Sequence, residues 1–335
     1  HDKKYTRLEE ENYFFKASKY QNEVIKLIES GEFRVIPESK KKEILNVLKD
    51  GLEDISVSRP KSKLEWGIPV PGDDNQVMYV WFEALMNYIT LLGFPDEQEF
   101  KDFWPTDIQI VGKDNLRFHA AIYPAMLLSA KLPVLKTLFV HGHLSVGGKK
   151  MSKTIGNVVN TEDIVNKYGT DAFRYYFLRH VPSYEDGDFT WERFEAVYNG
   201  ELANELGNSV QRVASMIERY QEGKIDLSDA SHEDSELEKL LENCQFDKAL
   251  EYIWAKVREV NQYIEQTKPW QLAKEEKADE LNKVLSKCVK DIVQIGELLA
   301  PFLPSTSEAI QTIFSSGKIN NQAGVLFPRV EPLES

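Results

Sequence analysis

The chain has 335 residues, 42% apolar and 28% charged, enough to build full cores in two domains or in one large domain plus a module. Its net charge of −13 excludes a protein coated in basic surface, so a nucleic-acid partner would have to be held by local basic patches against an opposing global field. No apolar run approaches the roughly 18 residues of a membrane span, so no membrane role is expected, and no secretory signal is visible. Charge is uneven along the chain, with a net of +3 over residues 141–180 and −10 over residues 191–335. Cys244 and Cys288 lack metal-ligand spacing and are expected to be free and buried, in a reducing, cytoplasmic setting.

In chain order, Tyr20, Val24, Leu27 and Ile28 lie on a helical stripe that Ser30-Gly31 stops, and Ile44, Leu45, Val47 and Leu48 form a second stripe ending at Asp50-Gly51. Residues 52–76 read as irregular, with Ile55–Arg59 a short alternating strand and with Pro60, Pro69, Pro71 and Gly72 breaking any regular element. Three apolar runs follow, Val77–Val80, Ile108–Val111 and Leu138–Val140. The first leads into a helical pattern from Phe82 to Leu92, and the second into one through Leu116, Ala120, Tyr123, Met126 and Leu127. Strands alternating with helices of this length predict βαβ units, and so an α/β fold with a partial, doubly wound parallel sheet of the Rossmann type. Thr161-Glu162-Asp163 reads as a helix N-cap with acids in the first turn. Beyond the loop Pro182–Asp188 three stripes at offsets of three and four predict an antiparallel, all-α bundle: Leu202 to Ile217, Phe246 to Ile264, and Leu281 to Leu299. The expected organisation is residues 1–140 as a nucleotide-binding region, 141–190 as a basic loop region, and 191–335 as the bundle.

Chemistry concentrates at the ends of the apolar runs. After the third, Gly147-Gly148-Lys149-Lys150-Met151-Ser152-Lys153-Thr154 places three lysines and two hydroxyls within six residues. Lysine is a flexible point charge able to follow a moving phosphate, and the flanking glycines let the backbone approach a ligand. A solvated basic hairpin is the plain alternative. Gly112-Lys113-Asp114 leaves the second run, where nucleotide ribose and phosphate are held in open α/β sheets. Gly112 permits a tight turn, and Asp114 can accept ribose hydroxyl protons or simply cap the next helix. His141-Gly142-His143, with His119 as a third ligand, could begin a metal site, although a catalytic zinc needs three converging ligands and a supporting shell. His141 beside a glycine equally suits the wall of an adenine pocket. Trp81, Ala84 and Tyr88 share one helical face, either core or a slot for an unbranched apolar side chain.

Taken together, Val80-Trp81-Phe82-Glu83-Ala84, Gly112-Lys113-Asp114, Arg117-Phe118-His119, His141-Gly142 and Lys150-Met151-Ser152-Lys153-Thr154 resemble the methionyl-tRNA synthetase family of class I aminoacyl-tRNA synthetases. So do Ser56–Arg59 and Trp66–Gly72, and the match runs from about Glu10 to Leu303. The resemblance implies a ligase that forms methionyl-adenylate from methionine and ATP, with Mg2+ on the phosphates, and transfers methionine to tRNA. It implies that Trp81, Ala84, Tyr88 and His119 shape the methionine pocket and that Gly112 and Asp114 serve the ATP ribose. It places His141, Gly142 and Leu144 around the adenine, and Lys150 and Lys153 as the catalytic groups on the phosphates. Asn208, Arg212 and Trp270 fall where the family contacts the anticodon. The family's His-Ile-Gly-His motif and zinc-binding insertion are not in these 335 residues, so no zinc site is expected in this portion. The chain is expected to act with a missing N-terminal catalytic half. Asn115 and Leu85 also depart from the usual pattern around the pocket. The rival readings are a non-catalytic tRNA-binding fragment and a His-x-His metal hydrolase.

Overall fold

The computed structural model describes residues 9–152, 154, 156–224, 234–314, 317–319 and 324–330. The chain divides into two compact units, residues 1–141 and 142–335.

In the first unit, strand β1 (Phe14–Phe15) leads to helix α1 (Gln21–Ser30), strand β2 (Arg34–Ile36) and helix α2 (Glu38–Asp50). Helix α1 stops where Gly31 turns left-handed at φ +83°, and its stripe residues Val24 and Ile28 pack into one core with Ile44 and Leu48 of α2. Strand β3 (Ile55–Ser56) pairs antiparallel with β1. Strands β4 (Ser58–Pro60), β5 (Pro69–Val70) and β6 (Asp73–Met78) form a separate antiparallel sheet in the order β4-β6-β5. Pro60 and Pro69 therefore lie inside strands. Both strands are outer ones, where a missing N–H costs no ladder bond.

Helices α3 (Val80–Leu85), α4 (Asn87–Thr90) and α5 (Gln98–Phe103) precede strand β7 (Ile108–Gly112), helix α6 (Tyr123–Ser129) and strand β8 (Thr137–His141). The parallel sheet has the order β2-β8-β7, with Ile36 and Ile110 both opposite Phe139. The sheet thus has the expected kind and size, but one strand differs. Val77 and Met78 close β6, Val80 opens α3, and β2 takes the place predicted for that run. Three residues opened by a charged Arg34 give no readable alternation, whereas burial of Phe33, Val35 and Ile36 fixes β2 in the fold. The helix expected over Phe82–Leu92 is interrupted between α3 and α4. The one expected over Leu116–Leu127 opens with a 3-10 turn, Lys113–Asn115, and a wide π segment, Phe118–Ile122, ahead of α6.

The second unit opens with strands β9 (Leu144–Val146) and β10 (Lys149–Lys150), then helices α7 (Thr161–Tyr168) and α8 (Thr170–Arg179) and strand β11 (Gly187–Phe189). The order is β10-β9-β11, antiparallel on one side of β9 and parallel on the other. The cap of α7 is Asn160, whose side chain accepts the Glu162 amide, one residue earlier than expected. Helices α9 (Trp191–Val197), α10 (Asn208–Gln221), α11 (Ser235–Glu242), α12 (Phe246–Thr267), α13 (Pro269–Lys274), α14 (Ala278–Leu299) and α15 (Pro304–Phe314) follow, with a π segment over Tyr198–Gly207 joining α9 to α10. The three predicted stripes are buried in one core that also takes Ile164, Tyr168, Tyr175 and Tyr176 from α7 and α8. Helix α15 approaches α14 at Gly296, where a Cβ would stand 2.8 Å from Ile310. Cys244 and Cys288 are free and buried, and burial pushes the Cys288 thiol up to about 12. No helix among the described residues is long and apolar enough to cross a membrane.

Candidate active site and nucleic-acid interface

The first unit gathers four predicted side chains near the start of α3 and the π segment before α6. His119 is buried, and both its ring nitrogens are engaged: Nδ1 lies 3.0 Å from the Asn115 carbonyl and Nε2 lies 3.0 Å from the Tyr88 hydroxyl. A carbonyl oxygen only accepts, so Nδ1 carries the proton and Nε2 accepts from Tyr88. Burial lowers the His119 pKa, keeping the ring neutral. His119 stands in the π segment, and the Asn115 carbonyl four residues back ends the preceding 3-10 turn. Tyr88 remains 43% exposed although its hydroxyl is fixed, and Trp81, 37% exposed, stacks on Phe118 at 4.9 Å. Ala84 is half-buried on the same helical run. The result is an accessible aromatic wall with an uncharged, oriented polar tip. Phe118 is a wall element that the helical stripe did not single out. Leu85, one of the two departures, is buried in the core instead of lining the wall, whereas Asn115 contributes through its backbone.

At the carboxyl ends of the parallel strands, Gly112 pairs with His141 in register. A Cβ at Gly112 would sit 3.8 Å from the His141 ring, in ordinary contact, so the two residues lie side by side at this strand end. Asp114 is exposed within the 3-10 turn, whose N-cap position is Gly112. Because both nitrogens of His119 are taken, it cannot be a third ligand with His141 and His143. Among the described residues no group of three or more His, Cys, Asp or Glu side chains could hold a metal ion.

In the second unit, Gly142 passes so close to the 185–186 backbone that a Cβ would lie 2.2 Å from the Glu185 carbonyl oxygen. Leu144 opens β9, half-buried, and Lys150 ends β10 with its side chain exposed. Lys153 lies outside the described residues. Around it, the Asn157 side chain accepts from the Ser152 amide at 2.8 Å and donates to the Lys150 carbonyl at 3.2 Å, and Ser152 Oγ accepts from the Thr154 amide. Asn157 thus links Lys150 at the end of β10 to Ser152.

At the bundle, Asn208 is exposed at the start of α10 and Arg212 follows one turn later. Arg212 lies over the Trp270 ring, 5.9 Å from its centre, and forms an ion pair with Glu265 at 2.7 Å. Lys268 turns left-handed, Pro269 starts α13, and Trp270 stays 38% exposed instead of entering the core. The structure brings Arg212 and Trp270 together.

A family model described as tRNA synthetases class I (M) matches residues 1–214, and one for the anticodon-binding domain of tRNA ligases matches residues 227–328. The chain belongs to the class I (M) family of tRNA synthetases. It is 44% identical over 322 residues to the methionine–tRNA ligase of Clostridium acetobutylicum, covering 91% of this chain and 50% of that protein. It is 40% identical over 357 residues to that of Caldanaerobacter subterraneus, covering 97% of this chain and 56% of that protein. The crystal structure of Mycobacterium tuberculosis methionyl-tRNA synthetase bound by methionyl-adenylate is similar at a TM-score of 0.83 and 31% identity, covering 97% of this chain and 68% of that one. The chain spans about half the length of the curated relatives it matches.

Proposed function

We propose that these residues are the methionine-holding, phosphate-facing and anticodon-reading part of a methionine–tRNA ligase. The observation that carries this reading is the Tyr88–His119 pair beside Trp81. A thioether side chain is apolar and uncharged, and it suits an aromatic wall whose histidine is held neutral and already hydrogen-bonded. In the first step the methionine carboxylate attacks the α-phosphorus of ATP, the bond to the bridging oxygen breaks, and pyrophosphate leaves. In the second, the terminal ribose hydroxyl of tRNA attacks the activated carbonyl and AMP departs. No side chain becomes covalently attached, so the chain contributes orientation and charge. Asp114 and the strand end at Gly112 and His141 suit a ribose and adenine. Lys150 and Lys153 suit the phosphates. Lys150 is exposed two residues beyond the Gly147-Gly148 turn, where its charge can come closer to a phosphate in the transition state than in the ground state. Mg2+ would enter with ATP, as no protein cage for it is assigned among these residues.

The exposed Trp270, with the half-buried Arg212 over its ring, favours tRNA binding by the 335 residues alone, without turnover. Outer strand β7 supports a division of labour. Ile108 and Ile110 are exposed on it, beside exposed Leu91 and Phe103, an apolar face suited to a further catalytic half. The experiment is methionine-dependent ATP–pyrophosphate exchange, measured for the chain alone and for a hybrid joining it behind the N-terminal half of the Clostridium acetobutylicum relative. Negligible exchange by the first and robust exchange by the second are expected. A folded hybrid without exchange, beside an active relative, would sink the ligase reading.

A further inference from the structure

The hairpin carrying the lysine signature hangs from few bonds, and two of them converge on a carboxylate that the sequence did not single out. Strand β10 pairs only with β9, so its position depends on β9 and on the turn between them. That turn is Gly147-Gly148, at φ +58° and +71°, the two-residue hairpin connection with both central residues left-handed. Such a turn leaves both central amides outside the ladder. Here both are taken by β11: the Gly147 amide donates to the Phe189 carbonyl at 3.1 Å, and the Gly148 amide donates to Asp188 Oδ1 at 2.9 Å. The same Asp188 oxygen accepts the Ser145 hydroxyl at 2.6 Å, opposite it in the parallel pairing. Asp186 also reaches this strand pair, at the His143 amide, but upstream of β9 and away from the turn.

We propose that Asp188 is a positioning residue for the lysine signature, pinning the Gly147–Gly148 turn to β11 and so fixing the place of β10, which carries Lys149 and Lys150. The functional half of this proposal rests on the ligase reading above. The Ser145 hydroxyl and then the Gly148 amide hold the Asp188 carboxyl below the usual carboxylate range, so both bonds are charge-assisted at neutral pH. Asn157 bonds to Ser152 and Lys150, residues of the same stretch, and so ties that stretch only to itself. Asp188 ties the hairpin to a strand beyond it. A loop whose job is to carry charge onto a phosphate gains rate only if closure repeatedly delivers Lys150 to one place, because a small misplacement weakens a contact made in the transition state.

Two measurements test this. The first needs no ligase activity: limited trypsin cleavage after Lys149 and Lys150, with cleavage at Lys283 and Lys290 of α14 as the internal control. Cleavage requires local opening and tracks its population, so Asp188→Ala should speed hairpin cutting about tenfold while leaving α14 and the melting temperature unchanged. Asp188→Asn keeps an oxygen acceptor and should stay near the parent rate. An unchanged hairpin rate in Asp188→Ala, or equal acceleration at both sites, overturns the pinning. The second measurement is exchange in the hybrid. Asp188→Ala should lower kcat about tenfold with KM for methionine unchanged, and Asp188→Asn should recover most of it. Faster hairpin cutting with unaltered kcat overturns the positioning role. A parent hybrid that does not exchange counts against the ligase reading, and the tryptic comparison still decides the pinning.

Discussion

The bundle and the parallel sheet of this chain dispose of their apolar surface differently. In the bundle the three stripes are buried among themselves: Leu285, Cys288 and Ile292 of α14 face α10, α12 and α15, and one continuous core extends into α7 and α8. On outer strand β7 the alternation is reversed in part. Gln109 is buried, whereas Ile110 is 61% exposed. A strand of a parallel sheet normally has apolar cover on both faces. The bundle therefore packs as a self-supporting body, while the sheet presents an apolar face suited to further polypeptide. The aromatic wall at Trp81 and Tyr88 lies in the same unit as this apolar face, and the Arg212–Trp270 pair lies in the unit of the bundle.

The largest effect should come from breaking the satisfied region. Leu285→Ala removes a fully buried side chain of α14 and should cost roughly 2–5 kcal/mol of stability. Ile110→Thr in the same chain should cost less than about 0.5 kcal/mol, since an exposed site loses little packing. In the hybrid with an N-terminal half the Ile110 change should become clearly destabilising. Thermal or urea unfolding of the four proteins checks this, and equal effects of Ile110→Thr with and without the added half would remove the distinction. A comparable effect on rate is expected at Lys153. Loss of a contact made mainly in the transition state should lower exchange by roughly 10²–10³ in the hybrid, with methionine affinity little changed. Weaker methionine binding at an intact adenylation rate would reassign this lysine.

Trp270 tests the bundle's side of the comparison. An exposed indole under a guanidinium is placed to stack on an unpaired base, worth roughly 1–3 kcal/mol, so Trp270→Ala should weaken tRNA binding about ten- to hundred-fold. The loss should largely vanish with a tRNA whose methionine anticodon has been replaced. Equal losses on both tRNAs together with a large fall in melting temperature would place Trp270 in the core after all.

Long periodic elements were legible and short ones were not. The stripes of α12 and α14 were read residue by residue because 22 residues each supply several helical turns of pattern. Strand β2 escaped because Arg34-Val35-Ile36 is too short for a period, and its identity as a strand comes from pairing with residues about a hundred positions away. At the candidate site, residue types and their order pointed to Trp81, Tyr88, His119 and the lysine stretch. The tautomer of His119 did not follow from sequence, as it depends on a backbone carbonyl four residues back. Asp188 was hidden for a related reason. In sequence it is one acid among several in a loop, and only the parallel pairing of β11 with β9 sets it beside Ser145 and Gly148.

The smallest expected effect concerns His119 and is confined to the sheet's unit. Burial of the ring lowers its pKa from the ordinary 6.5, so the folded unit binds this proton less readily than the unfolded chain does. Stability rises with pH wherever the unfolded state holds more protons. The neutral ring's contribution is therefore fully present above about 6.5, and it is lost progressively as pH falls below that value toward the folded pKa. The Asn115 carbonyl opposes the shift, since a bond to Nδ1–H survives protonation, but desolvation is the larger cause. The Tyr88 bond gives the direction structural content. A protonated Nε2 can no longer accept from the Tyr88 hydroxyl, so in acid this bond must reverse, with Nε2–H donating to the hydroxyl oxygen. Unfolding followed separately in the two units, for example by amide exchange, should show the first weakening between pH 7.5 and 5.5 by more than His119→Gln does, on an otherwise similar carboxylate background. The melting of the bundle should not distinguish the two proteins. Identical pH profiles for parent and His119→Gln in the first unit would mean that His119 is not held neutral by the fold, and the uncharged wall proposed for methionine would lose its basis.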